Sequence, residues 1–525
     1  MSRAPEGTTL HHGPASLPVD LPHLVSYLTA TGPTRTLHSP VSGAPVGDLP
    51  TSTPQDVKAA ADRARQRQAE WAQCPVQERA AVLLRFHDRL VDQVDTFVDL
   101  VQRDAGKARL SATEEVLHAA VTARYYARRG PRYLRSERGQ GLFPGLTRID
   151  RHYAPKGLIG IIAPWNYPLT MAISDGLAAL VAGNAVILKP DDQTPLISLA
   201  AVELLEDCGM PKGLWQVVHG AGDQVGPELI DVSDYVCFTG STATGRIVAM
   251  RCADRLIGCS LELGGKNPLL ILDDADVEVA AEGAVRASFS NGGQLCVSTE
   301  RIYVAETLME EFCRAFVSRT RDLTLGHALD YDHDIGSLIN ARQLQRVSDH
   351  VEDAVAKGAT LLTGGRQRAD LGELFYEPTV LTGVTPEMAC YAEETFGPVV
   401  SVYPVSDADQ AVARANDSEY GLNASVWTRN AERGRQVASR ISCGTVNVNE
   451  GFAATFGSID APMGGMKHSG LGRRQGREGI SRFVDVQAVG TQRGLPVAPS
   501  HGMSGRQFAS LLVLVVRAFR RLGRA

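Results

Sequence analysis

Glu262-Leu263-Gly264-Gly265-Lys266-Asn267-Pro268 opens a stretch that closes on Phe289-Ser290-Asn291-Gly292-Gly293-Gln294-Leu295-Cys296. A carboxylate stands at one end and a thiol at the other, with an amphipathic helix between. Cys296 follows a Gly-Gly break and a short polar run, which predicts a tight turn whose thiol faces a cleft with backbone N–H groups beside it. Such a setting favours thiolate. Glu262 lies in a glycine-rich break where a carboxylate has no obvious packing role. The other eight cysteines, Cys74, Cys208, Cys237, Cys252, Cys259, Cys313, Cys390 and Cys443, read as small buried hydrophobes.

Upstream, between Tyr153 and Leu263, short apolar runs alternate with helical segments, the pattern of parallel βαβ units. The expected strands are Leu158–Ala163, Ala185–Lys189, Leu214–His219, Tyr235–Thr239 and Cys259–Leu263, which together predict a doubly wound sheet. Such sheets bind ligands at the carboxyl ends of their strands. Here those ends read Pro164-Trp165-Asn166-Tyr167-Pro168, Lys189-Pro190-Asp191-Asp192 and Phe238-Thr239-Gly240-Ser241-Thr242-Ala243-Thr244-Gly245. The last joins a strand to a helix, whose free N–H groups suit a pyrophosphate. Taken alone it reads as a plain βα turn, since the G-x-G-x-x-G fingerprint is absent. Downstream of Cys296 a second α/β unit is expected, with strands near Arg301–Val304, Val399–Tyr403, Leu422–Trp427 and Gly444–Val448.

Ahead of the first sheet, residues 21 to about 130 predict a short helix, a hairpin around His38–Gly43 and then helices. One carries Ala81, Leu84, Phe86 and Leu90 as its apolar stripe, and another runs from Ala112 to a stop at Gly130-Pro131. The chain has 525 residues, enough for two or three domains. A net charge of −6 gives no electrostatic case for nucleic acid. The nine cysteines show no metal-binding spacing, so no metal is expected, and unpaired cysteines point to a reducing cytoplasm. Residues 1–20 lack the apolar core of a secretory signal and read as a disordered lead-in. The tail, 505–525, combines Phe508, Leu511, Leu512, Val515, Val516 and Phe519 with five arginines and no acid. It predicts a basic amphipathic helix, for an anionic membrane surface at the inner face or for packing on a partner subunit.

The Glu262 and Cys296 segments, at their separation, resemble the two signature motifs of the aldehyde dehydrogenase superfamily. The likeness extends over roughly residues 20 to 490 through Glu393-Glu394-Thr395-Phe396-Gly397-Pro398 and Pro462 to Arg473. It is strongest to actinobacterial succinic semialdehyde dehydrogenases. The resemblance implies the aldehyde dehydrogenase fold, an α/β architecture with a cofactor domain (21–134 and 153–262), a catalytic domain (263–478) and a small antiparallel oligomerisation arm (135–152 and 479–492). An isolated two-stranded arm is marginal in water, so a homodimer or homotetramer is expected.

The resemblance also implies roles. Cys296 is the nucleophile, Glu262 the base that activates water, and Asn166 a donor to the oxyanion. Cofactor binding falls to Trp165, Lys189, Asp192, Phe238, Thr239, Gly240, Ser241, Gly245, Glu394 and Phe396, and the cofactor is NAD or NADP. Asp192 tilts that choice toward NAD, because a carboxylate accepts bonds from a ribose 2′-OH and repels a 2′-phosphate. The chain departs from better-known bacterial relatives where they carry two arginines for the substrate carboxylate. Ser174 and Ser290 stand there, and Lys467, Arg473 and Arg474 are the candidate replacements. Arg474 also stands where many relatives carry a glutamate. The aldehyde is therefore succinic semialdehyde or a different, apolar or aromatic one. A cofactor-independent thiol esterase and a non-catalytic binding protein are the competing functions.

Overall fold

The computed structural model describes residues 19–143, 146–493, 497–500 and 502–521. Of the expected disordered lead-in, all but its last two residues lie outside that range. The chain divides into two compact units, residues 1–133 with 155–483 and residues 134–154 with 484–525.

The first unit holds two large sheets. One has six strands in the order Gly470–Leu471, Gly258–Glu262, Tyr235–Thr239, Leu158–Ile162, Ala185–Lys189 and Trp215–Val217, parallel except for Gly470–Leu471. From the central strand Leu158–Ile162 the chain winds outward one way and then returns to wind the other. The strand order therefore reverses between Leu158–Ile162 and Tyr235–Thr239, the crevice where such sheets bind ligands. All five expected strands are present within two residues of their predicted ends. The helix between the first two, Pro168–Ala182, is buried throughout, mostly apolar but carrying Thr170, Ser174 and Asp175.

The second sheet has seven strands in the order Thr360–Thr363, Thr379–Thr382, Val399–Val405, Thr299–Ala305, Asn267–Ile271, Asn423–Trp427 and Thr445–Val448. Only the edge strand Thr360–Thr363 is antiparallel. Asn267–Ile271 was not anticipated, because its Asn-Pro start reads as a loop. A proline opening a strand costs no ladder bond there. Its order also reverses, between Asn267–Ile271 and Asn423–Trp427.

Two helical readings need correction. In the helix Val76–Asp92 the buried face is Arg79, Ala80, Val82, Leu83, Phe86 and Leu90, so the expected Ala81 and Leu84 are only half-buried. The helix is rolled by Arg79, whose buried guanidinium donates to Val181 O and Cys74 O. The helix Arg109–Tyr133 runs through Gly130-Pro131 instead of stopping there, because Pro131 falls in the last turn. The hairpin Thr34–His38 with Pro45–Pro50 forms as read.

The second unit is a three-stranded sheet, Val484–Gln492, Thr147–Pro155 and Glu137–Gly139, followed by the helix Gly505–Arg521. The two-stranded arm expected from the sequence gains a strand because the first segment doubles back, pairing Glu137 with Arg151. Phe508, Leu512, Val515 and Phe519 of the helix are half-buried, the first three along a cavity of about 250 Å³ that Phe143, Leu146 and Met503 also line.

Candidate active site

The turn that carries Cys296 is left-handed at three consecutive residues, Asn291 (φ 53°), Gly292 (φ 61°) and Gly293 (φ 69°). Asparagine and glycine are the residues that hold such backbone at least cost. At Gly293 the turn also passes so close to Gly397 that a Cβ would come within 2.0 Å of its carbonyl oxygen. Asn291 Nδ2 and Asn166 Nδ2 both donate to Gln294 O, and Asn267 Nδ2 donates to Cys296 O at 2.7 Å. The turn is thereby tied to the strand ends of both sheets.

Cys296 opens into a cavity of about 190 Å³ that gathers Trp165, Asn166, Thr239, Gly240, Ser241, Glu262, Glu394 and Phe396. Six of the ten cofactor residues expected from the sequence, and the other two catalytic residues, thus meet Cys296 in one place. Phe238 and Gly245 lie behind this wall. Phe238 belongs to a core cluster with Val248 and Leu261, and Gly245 is buried against Leu263. Asp192 lies at a separate opening of about 290 Å³, which it lines with Arg35, Gln193 and Asn340, and Lys189 is buried behind it. There Lys189 Nζ reaches Asp192 Oδ1 at 2.8 Å and Arg35 Nη1 reaches Asp192 Oδ2 at 2.7 Å.

Glu262 ends the strand Gly258–Glu262 and is 5% exposed, yet neither carboxylate oxygen has a hydrogen-bond partner among the described residues. Burial pushes its pKa up to about 7, against the pull of Arg474 and Arg482. A carboxyl group poised there can accept a proton at neutral pH. Burial, with Glu262 and Glu394 nearby, pushes the Cys296 thiol up to about 12, against the pull of Arg474 and against the direction the glycine-rich turn suggests. The walls Tyr167, Met171, Leu263 and Leu295 explain this, since they remove water without supplying a cation.

Glu394 is held by its neighbours. Its Oε1 accepts from Gly265 N at 2.8 Å, and a Cβ at Gly264 would come within 2.6 Å of Oε2. Burial beside Glu300 raises its pKa to about 7. Arg346 donates to Glu394 O, and Gln343 Nε2 to Phe396 O at 2.7 Å. Phe396 stands edge-on to Trp165 at 5.5 Å. Ser241 caps the helix Thr242–Asp254 by accepting from Thr244 N, which leaves the helix N-terminus at the cavity rim. A helix start, a facing carboxylate and two aromatic walls fit a nicotinamide dinucleotide. Among the described residues no cluster of three or more His, Cys, Asp or Glu is arranged to hold a metal.

Two buried ion pairs that support the site were not read from the sequence. Lys107 Nζ meets Glu115 Oε2 at 2.5 Å, and Glu115 Oε1 accepts from Leu169 N and Thr170 N, fixing the helix start beside Asn166. Lys266 Nζ meets Glu300 Oε2 at 2.5 Å, and Glu300 accepts from Thr395 N and Phe396 N. Lys266 and Glu300 are 34 positions apart, and Glu115 reaches Leu169 across 54, so no local pattern marks these links. Charges this deeply buried persist only when paired and fully hydrogen-bonded.

Residues 27–489 match the family model described as the aldehyde dehydrogenase family. A protein of Mycobacterium tuberculosis, provisionally named NADP(+) succinate-semialdehyde dehydrogenase 2, is 49% identical over 94% of this chain and 95% of its own. One from Sinorhizobium fredii with the same provisional activity is 36% identical over 86% and 91%. Among solved structures, an NAD-dependent aldehyde dehydrogenase from Sinorhizobium meliloti superposes with a TM-score of 0.85 at 32% identity, over 89% of this chain and 93% of that one. Betaine aldehyde dehydrogenase from Staphylococcus aureus in complex with NAD+ superposes with a TM-score of 0.84 at 30% identity, over 90% and 94%.

Proposed function

The chain belongs to the aldehyde dehydrogenase family, and with that as premise we propose that it oxidises succinic semialdehyde to succinate with NAD(P). The observation that carries the chemistry is a buried, unpartnered carboxylate, Glu262, in one cavity with the Cys296 thiol. Cys296 Sγ bonds to the aldehyde carbon while the carbonyl electron pair moves to oxygen and the thiol proton is lost to solvent. The Asn166 amide, with one N–H on Gln294 O, keeps a second for that oxygen, and the Cys296 backbone N–H is the other donor. The bound dinucleotide supplies the hydride acceptor. Glu262 then takes a proton from water that attacks the thioester, the S–C bond breaks and the carboxylic acid leaves. An esterase would leave Glu394, Lys189 and the capped helix start without use.

Asp192 by itself favours NAD. Its carboxylate, however, is flanked by Arg35 and Lys189, so the group of three is net positive and tolerates a 2′-phosphate. We therefore expect both cofactors to be used, in line with the NADP(+) in the relatives' names. For the substrate, the apolar walls Tyr167, Met171 and Leu295 favour an uncharged aldehyde as the second reading. The test is steady-state reduction of NAD and NADP in parallel, with succinic semialdehyde and with butanal. Succinic semialdehyde is expected to lead by more than about tenfold in kcat/KM, and NADP to fall within about tenfold of NAD. Butanal matching succinic semialdehyde overturns the substrate, and an inert NADP overturns the dual cofactor use.

The second unit supports two further readings. Its sheet is the surface for a homodimer or homotetramer. Its terminal helix exposes Leu511, Val513, Leu514 and Val516, while Arg506, Arg517, Arg520 and Arg521 form one basic stripe. Among the described residues no helix is long and apolar enough to cross a membrane. This surface suits an anionic lipid face, and with nine free cysteines it supports a cytoplasmic enzyme held peripherally at the inner membrane face. Removing residues 505–525 is expected to abolish binding to anionic liposomes while activity stays. Unchanged liposome binding removes the membrane reading, and a change of oligomeric state assigns the helix to a partner subunit.

A further inference from the structure

Beside the catalytic cavity lies a smaller one, of about 10 Å³, room for about one water. Met171 lines both, so a single flexible side chain separates them. The smaller cavity is polar. Arg474 Nη2, Ser174 Oγ, His118 Nδ1 and Gln475 Oε1 all line it and have no hydrogen-bond partner among the described residues.

Arg474 is the anomaly. It is 3% exposed, and its guanidinium makes one hydrogen bond, from Nη1 to the thioether of Met171 at 2.8 Å. Nη2 lies 3.1 Å from Asp175 Oδ1, near enough for an ion pair but not aligned to donate. A buried guanidinium has five N–H donors and ordinarily spends them on carbonyls or carboxylates. Asp175 is already shared, since Arg482 Nη2 meets the same Oδ1 at 2.5 Å. Two guanidinium groups thus face one full carboxylate, with Glu262 half-ionised near neutral pH. The cluster therefore keeps a net positive charge.

The other cations that could serve are committed. Lys467 Nζ donates to Asn416 O and Ser418 O, and Arg473 Nη1 to Gly465 O and Gly472 O. Ser290 donates to Arg286 O and lines neither cavity. We infer that Arg474, with Ser174 beside it, binds the remote carboxylate of an anionic aldehyde whose carbonyl lies at Cys296, Met171 swinging aside to join the two cavities. The inference rests on the substrate reading above and names the groups that would carry it.

The test compares kcat/KM for succinic semialdehyde with that for butanal in the wild type, Arg474→Gln and Arg474→Lys, all at one pH. The ratio cancels any effect of Arg474 on Glu262, because both aldehydes use that base. Arg474→Lys keeps a charge against Asp175, so it guards against a glutamine variant that does not fold. The ratio is expected to fall by about 100-fold in Arg474→Gln and at least about tenfold in Arg474→Lys, which loses the planar fork. The loss is expected in KM for succinic semialdehyde, with KM for butanal held. If either folded variant keeps the wild-type ratio within about threefold, Arg474 is not the carboxylate site, and an equal loss on both aldehydes assigns it to Glu262 instead. A wild type with no preference overturns the substrate reading and this inference together. A wild-type preference that survives in the variants overturns this inference alone.

Discussion

A Glu262→Gln enzyme mixed with aldehyde and cofactor is expected to release one equivalent of reduced cofactor per active site and then slow by about 10²–10⁴-fold. Glutamine keeps the size and position of Glu262 but cannot take a proton from water, so the acyl group stays on Cys296. Mass measurement of the stalled protein checks this by the added acyl mass. The pH dependence follows from the same group. Glu262 is raised to about 7 in the folded protein, and the base must be ionised, so the wild-type rate is expected to rise from pH 5 to 8 with its midpoint near 7. Below the midpoint the slope is about tenfold per pH unit, and Glu262→Gln removes that limb. Continuous turnover at the wild-type rate in the variant would place the base elsewhere.

Cys296→Ala is expected to lose at least about 10⁴-fold in aldehyde oxidation, because the covalent route disappears with the sulfur. Cofactor binding is expected to persist, since Gly240, Ser241, Glu394 and Lys189 are untouched, and quenching of intrinsic fluorescence on titration with NADH measures it. With the thiol raised to about 12, alkylation of wild-type Cys296 by iodoacetamide is expected to be slow without cofactor and to quicken as pH rises. Fast labelling at pH 7 in the unliganded protein would mean that a thiolate already exists there. Retained oxidation in Cys296→Ala would refute the covalent mechanism.

The two chemical anchors were legible because each sits in a local signal. Gly292-Gly293 before Cys296 announces a left-handed turn, and the βαβ rhythm from Tyr153 to Leu263 announces a parallel sheet with Trp165-Asn166 and Gly240-Ser241 at its strand ends. Alternation of apolar runs and helices is a property of neighbouring residues, and so are backbone signs and turn residues. The order of elements from Tyr153 to Leu263, their doubly wound topology and the ends of the segment from Glu262 to Cys296 were therefore determined by the sequence itself.

What only the tertiary structure decided depends on residues brought together from far apart. Arg35 reaches Asp192 across 157 positions and changes the charge around that carboxylate. Arg474 meets Met171 across 303 positions and is buried there with donors to spare. The state of the Cys296 thiol depends on the same kind of neighbourhood. A glycine-rich turn promises N–H groups, but whether a thiol ionises depends on the water and charge left around it once Tyr167, Met171, Leu295, Glu262 and Glu394 have closed in. Desolvation and Coulomb energies are sums over everything within several ångströms, and that neighbourhood exists only after the chain has folded.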